Sequence, residues 1–112
     1  MPSFTQQDSL IYSALADDPD LYEIVKMFVD EMPSRVEQLV SEFQSKNWHG
    51  LKQTTHQLKG AAGSYGFAEV TPAAGKLEQN LKQESSEAEI QQSLEELVAI
   101  CQRMGIAEPD SP

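Results

Sequence analysis

The chain has 112 residues, 39% of them apolar, enough for one domain that buries roughly two-thirds of its unfolded surface. Eight Lys and Arg against 18 Asp and Glu leave a formal charge of −10, which excludes a nucleic-acid binder that works by neutralising phosphates. No apolar run is long enough to span a membrane, Met1-Pro2-Ser3 does not open a secretory signal, and the single Cys101 has no internal disulfide partner, so a cytoplasmic location is expected.

Residues 1–20 are mixed. Asp8 is placed to cap a short helix carrying Leu10, Ile11 and Leu15, and Asp17-Asp18-Pro19-Asp20 reads as a turn into a helix start. Leu21, Ile24, Val25, Phe28 and Met32 then keep helical spacing, and Val36, Leu39, Val40 and Phe43 continue it past Pro33. A proline inside a helix removes a hydrogen bond and clashes with the preceding turn, so a kink or break is predicted near Met32–Pro33, followed by helix to about Ser45. Met27 and Met32 are read as core, with an apolar rim for a partner as the alternative. Lys46-Asn47-Trp48 is a short connection, with Asn47 capping the next helix and Trp48 packing on the end of the previous one.

The stretch from Leu51 to Phe67, LKQTTHQLKGAAGSYGF, is helical in pattern yet holds Gly60 and Gly63, each costing a helix interior roughly 0.5–1 kcal/mol relative to Ala. At about 100° per residue from His56, Tyr65, Leu58, Leu51 and Ala62 fall between about 180° and about 240°, a core stripe. Lys52, Gln53, Lys59, Gly60 and Gly63 fall within about 60° of His56. One face therefore carries an imidazole, two ammoniums and ground cleared by two glycines. A water-exposed imidazole is mostly neutral at pH 7 and needs no base to act as a nucleophile, and Lys59 lies within reach of an anion on the ring. That combination suggests phosphoryl transfer to His56. From Phe43 to Ala68 there is no Asp or Glu, only Lys46, Lys52 and Lys59, so this helix is a locally basic strip on an acidic chain. His49 lies about 20° from His56 on the wheel and about 10 Å away along the axis, without flanking glycines; it is the next candidate for modification.

Gly66 suits the left-handed residue that ends a helix, with Phe67 making the apolar contact after it. A further helix starts between Phe67 and Thr71, with Pro72 in its first turn and Val70, Ala74, Leu77 and Leu81 as its stripe; Ala73 and Gly75 permit close helix approach. Glu84-Ser85-Ser86-Glu87 reads as a loop. Ile90, Leu94, Leu97, Cys101 and Met104 mark a last helix of about 17 residues, ended by Gly105. Nothing reads as a strand. The expected fold is all-α, an antiparallel up-down-up-down four-helix bundle with one or two short helical pieces at the N-terminus. The whole chain, 1–112, is expected to be one domain with its core at about 21–104 and mobile ends at 1–7 and 106–112. A monomer is expected, because every apolar stripe is needed inside the bundle. With only two histidines, and neither C-x-x-C, H-E-x-x-H nor a glycine-rich phosphate loop, no metal site and no nucleotide site are expected.

His56-Gln57-Leu58-Lys59-Gly60-Ala61-Ala62, followed by Gly63 and then Tyr65-Gly66, strongly resembles the signature of histidine-containing phosphotransfer (HPt) domains, and helix order and spacing match from about Leu21 to about Met104. The resemblance implies a carrier in a multistep two-component phosphorelay, without kinase activity of its own. His56 would accept a phosphoryl group from a receiver-domain aspartate and pass it to another receiver, on a response regulator or a hybrid sensor histidine kinase. Lys59 would stabilise charge, and Gly60, Gly63, Lys52 and Gln53 would meet the partner. The chain would carry no cofactor, the receiver supplying Mg²⁺. In such domains a side chain from the helix over about 68–83 contacts the phosphohistidine region; Lys76, Gln79 and Lys82 are the candidates. Two other readings stay open: the phosphorylated N-terminal domain of a chemotaxis-type kinase, and an HPt-like bundle that only binds.

Overall fold

Pro33 shapes the first part of the molecule. In the computed structural model, which describes residues 11–15 and 18–104, helix α1 covers Tyr22–Asp30 and α2 covers Met32–Gln44, with Glu31 between them. Pro33 sits in the first turn of α2, where its missing N–H costs no intrahelical bond. The ladder is barely interrupted: the Glu31 N–H donates to the Met27 carbonyl at 3.1 Å and the Arg35 N–H to the Glu31 carbonyl at 3.2 Å. Three helices follow: α3 (Trp48–Ser64), α4 (Val70–Lys82) and α5 (Glu87–Gln102).

The connections over 45–47, 65–69 and 83–86 are short, so sequential helices run antiparallel. Helix α2 packs on α3, α3 on α4, α4 on α5, and α5 returns to α2, closing a four-helix bundle. Its core is the set of stripes read from the sequence: Leu39, Leu51, Leu58, Ala62, Val70, Ala74, Leu77 and Leu97 are fully buried, and Ile90, Leu94, Cys101 and Met104 nearly so. Phe67 is buried beneath the α3–α4 connection, where Phe28 stacks on Tyr65 at 4.8 Å and meets Phe67 at 5.9 Å. Trp48 packs edge-on against Phe43 at 5.6 Å, joining the start of α3 to the end of α2. Burial pushes the Cys101 thiol up to about 12, so it is an inert core residue.

Several expectations need correction. Ile11–Leu15 is not helical. The Ile11 N–H donates to the Arg103 carbonyl, Ile11 forms one isolated parallel bridge with Met104, and the Ala14 N–H donates to the Gly66 carbonyl at 2.8 Å. These tertiary partners satisfy the donors a helix would have used, and they bury Ile11. Asp8, Leu10, Gly105 and the two ends lie outside the described residues. Ile24 is 44% exposed and Met27 61% exposed, while Met32 is buried. Helix α1 buries Val25 and Phe28 and packs Val29 half-buried against the core, and rotation of about 100° per residue leaves Ile24 and Met27 on its flanks. Apolar surface is therefore left over, contrary to the premise of the monomer argument. Gly75 stands at no close approach either, since a Cβ there would meet nothing within 4 Å. Among the described residues, no helix is long and apolar enough to cross a membrane.

Candidate functional site

Helix α3 opens where the Asn47 side chain accepts from the Gly50 N–H at 3.0 Å, and ends where Gly66 takes φ +85°. Between them Leu51, Thr55, Leu58 and Ala62 turn inward. Thr55 hides its hydroxyl by donating to the Leu51 carbonyl at 2.7 Å. This anchoring sends His56 the other way, and its side chain is 68% exposed. A Cβ added at Gly60 would meet nothing within 4 Å, and one at Gly63 only the Thr71 hydroxyl at 3.8 Å. The glycines fill no internal packing need; they leave the stripe beyond the ring bare.

The ring is held by a residue outside the expected set. Glu78 on α4 places Oε2 2.8 Å from His56 Nδ1, and its Oε1 accepts from Lys59 Nζ at 2.7 Å. Lys82 Nζ adds a longer contact to Glu78 Oε2 at 3.8 Å. The carboxylate's side chain is only 7% exposed, a burial that a charge tolerates when paired and hydrogen-bonded. The Lys59 ammonium donating to it holds the Glu78 carboxyl below the usual range; burial pushes the other way, and His56 and Lys82 add to the lowering. An ionised carboxylate can only accept, so neutral His56 must carry its proton on Nδ1, leaving the lone pair on Nε2.

Lys52 and Gln53 line a hollow of about 400 Å³ beside the ring, together with His56, Gln57, Glu78 and Lys82. Lys59 does not line it; its charge is turned to Glu78. Of the three α4 candidates, Lys76 pairs instead with Glu96 on α5 at 3.3 Å, and Gln79 is exposed. Lys82 alone reaches the site. His49 is exposed beside a second hollow of about 490 Å³, lined also by Trp48, Lys52, Leu81, Glu84 and Ile90, and no carboxylate among the described residues is bonded to its ring. No group of three or more His, Cys, Asp or Glu side chains among the described residues is placed to hold a metal ion.

Glu78 was findable. It lies four residues after Ala74 and one after Leu77, on the flank of the core stripe. An acid there needs cationic or N–H donors from a neighbouring helix. The helical period puts it at the right height; only the register of α4 against α3 pairs it with His56 and Lys59.

A family model described as Hpt domain matches residues 23–105. No curated protein and no solved structure matched the chain. The family match covers most of the chain and spans every helix but the first residue of α1. Its members are phosphocarrier modules that interact with receiver domains and are generally not enzymes. With an exposed imidazole presented from the bundle and a matched family model, the chain belongs to the HPt domain family, whose role is phosphotransfer in two-component signalling.

Proposed function

We propose that His56 is the phosphoacceptor of a multistep relay, taking a phosphoryl group from the aspartyl-phosphate of one receiver domain and passing it to another. The observation that carries this reading is an exposed ring whose Nδ1 is occupied by Glu78. The Nε2 lone pair attacks phosphorus in line. The N–P bond forms as the bond from phosphorus to the aspartate oxygen breaks, and that oxygen keeps the electron pair as carboxylate. The proton on Nδ1 stays, so the phosphorylated ring is cationic. Glu78 opposes that charge at 2.8 Å and fixes the ring's angle, the part a buried carboxylate plays behind a catalytic histidine. Lys59 keeps Glu78 ionised and in place. Onward transfer reverses each bond change at the second receiver.

In this reading Mg²⁺ and most of the transition-state stabilisation come from the receiver, and the chain is a carrier in the cytoplasm without kinase activity. Gly60 and Gly63 leave room for the receiver's approach, with Lys52 and Gln53 at its edge. The test is incubation with a purified phosphorylated receiver, and separately with ATP and a kinase catalytic domain. Label arriving from the receiver supports the relay. Label arriving only with the kinase domain favours the kinase-fragment reading, and no label in either mixture leaves a binding-only bundle.

A further inference from the structure

Lys59 follows His56 by one turn, yet its ammonium is bound to Glu78 on the Nδ1 side of the ring. The phosphoryl group, if it sits on Nε2, needs different cations. Two are in position. Lys52 lies one turn before His56 on the same helix, lines the hollow beside the ring, and makes no ion pair among the described residues. Lys82 reaches into the same hollow from α4; it is 56% exposed and its contact to Glu78 is long, so its flexible end can turn to a new anion without breaking a short bond.

Resting on the relay reading, we infer that Lys52 and Lys82, one from each helix, form the seat for the phosphoryl oxygens, with Lys59 confined to positioning Glu78. The ionisable groups around that seat are Lys52, His56 and Lys59 from α3 and Glu78 and Lys82 from α4. In the neighbouring hollow Lys52 also shares walls with His49, Glu84 and Glu87, the last engaged by Lys46 at 3.6 Å. Two ammoniums facing the phosphoryl oxygens would favour the dianionic group over the monoanion.

The experiment removes the receiver altogether. The full chain is phosphorylated chemically with phosphoramidate, the His56 signal is assigned as the phosphorus resonance absent from His56→Gln, and its shift is followed against pH. Lys52→Gln and Lys82→Gln should each raise the titration midpoint by about half a pH unit, the effect of one solvent-screened charge a few ångström away. Lys59→Gln should move it less than either. Unchanged midpoints in both Lys52→Gln and Lys82→Gln, or a larger change in Lys59→Gln, overturn the assignment. So does the absence of any His56 signal in the unaltered chain, because the seat requires an accessible ring. If the two lysines slow transfer from a receiver but leave the midpoints alone, they act in docking and the seat is refuted. Failure of receiver transfer with the midpoints shifted as expected would overturn the relay and leave the anion seat standing.

Discussion

At the scale of single residues, a buried carboxylate decides which nitrogen of His56 keeps its lone pair. Removing Glu78 frees the ring to rotate and to change tautomer. Glu78→Ala should slow phosphoryl uptake on the order of tenfold or more, a cost typical of losing a residue that orients a functional histidine. Quench-flow measurement with a phosphorylated receiver checks this, and an unaltered rate would remove Glu78 from the mechanism. The same residue gives a pH signature. Its carboxyl is held low in the folded state, so the unfolded chain binds that proton more readily. The stability it contributes is fully present above the ordinary Glu range near pH ~4.3 and is lost as pH falls through the lower folded value. Glu78→Gln should be less stable than the unaltered chain by about 1–2 kcal/mol at pH 7, the scale of a charge-assisted hydrogen bond. Denaturant melts across pH should show that gap closing in acid; a gap that widens there would reverse the sign of the argument.

At the scale of elements, two glycines near one another do different things. A Cβ at Gly63 would make only an ordinary contact with the Thr71 hydroxyl at 3.8 Å, so Gly63→Ala should raise stability by about 0.5–1 kcal/mol through helix propensity. Gly63→Leu should keep the fold and slow transfer from the receiver. Gly66 is the contrast: with φ +85° and Ser13 and Ala14 packed against it, Gly66→Ala should destabilise by about 1 kcal/mol or more. Thermal unfolding of the three variants separates clearance from backbone need. The helices themselves were legible in the sequence because each shows one continuous stripe, and Asn47, Gly66 and Pro33 stand at boundaries for local reasons. The capping box at Ser86 and Glu89, which starts α5, is also local and was within reach. What the period could not give was pairing between helices. Glu78 gains its partners only when α4 is set against α3, and Ile24, which keeps helical spacing in the sequence, falls on the flank of α1 once Val25 and Phe28 face the core. Residues 11–15 misled for the same reason, since their partners, Arg103 and Gly66, are far away in the chain.

At the scale of the molecule, the bundle is a rigid frame that keeps its acids off one helix. The 18 Asp and Glu lie outside Phe43–Ala68; Glu42 meets α3 at Thr54, and Glu78, the carboxylate bonded to the His56 ring, is neutralised by Lys59. An acidic receiver site can therefore approach His56 without meeting like charge. The exposed Ile24 and Met27 border a shallow hollow of about 310 Å³. Two exposed side chains on one flank of α1 fall far short of a stable dimer's interface, which takes on the order of 800 Å² from each partner. Light scattering should give one chain of 12.4 kDa in solution, and a concentration-independent dimer would require a different docking face. The central claim concerns one nitrogen on one ring. Transfer of radiolabel from a phosphorylated receiver to the purified chain, followed by acid and alkali treatment, tests it most directly. The account predicts acid-labile, alkali-stable label on the unaltered chain and none on a folded His56→Gln. Label that survives on His56→Gln, or that never appears on the unaltered chain, would contradict it.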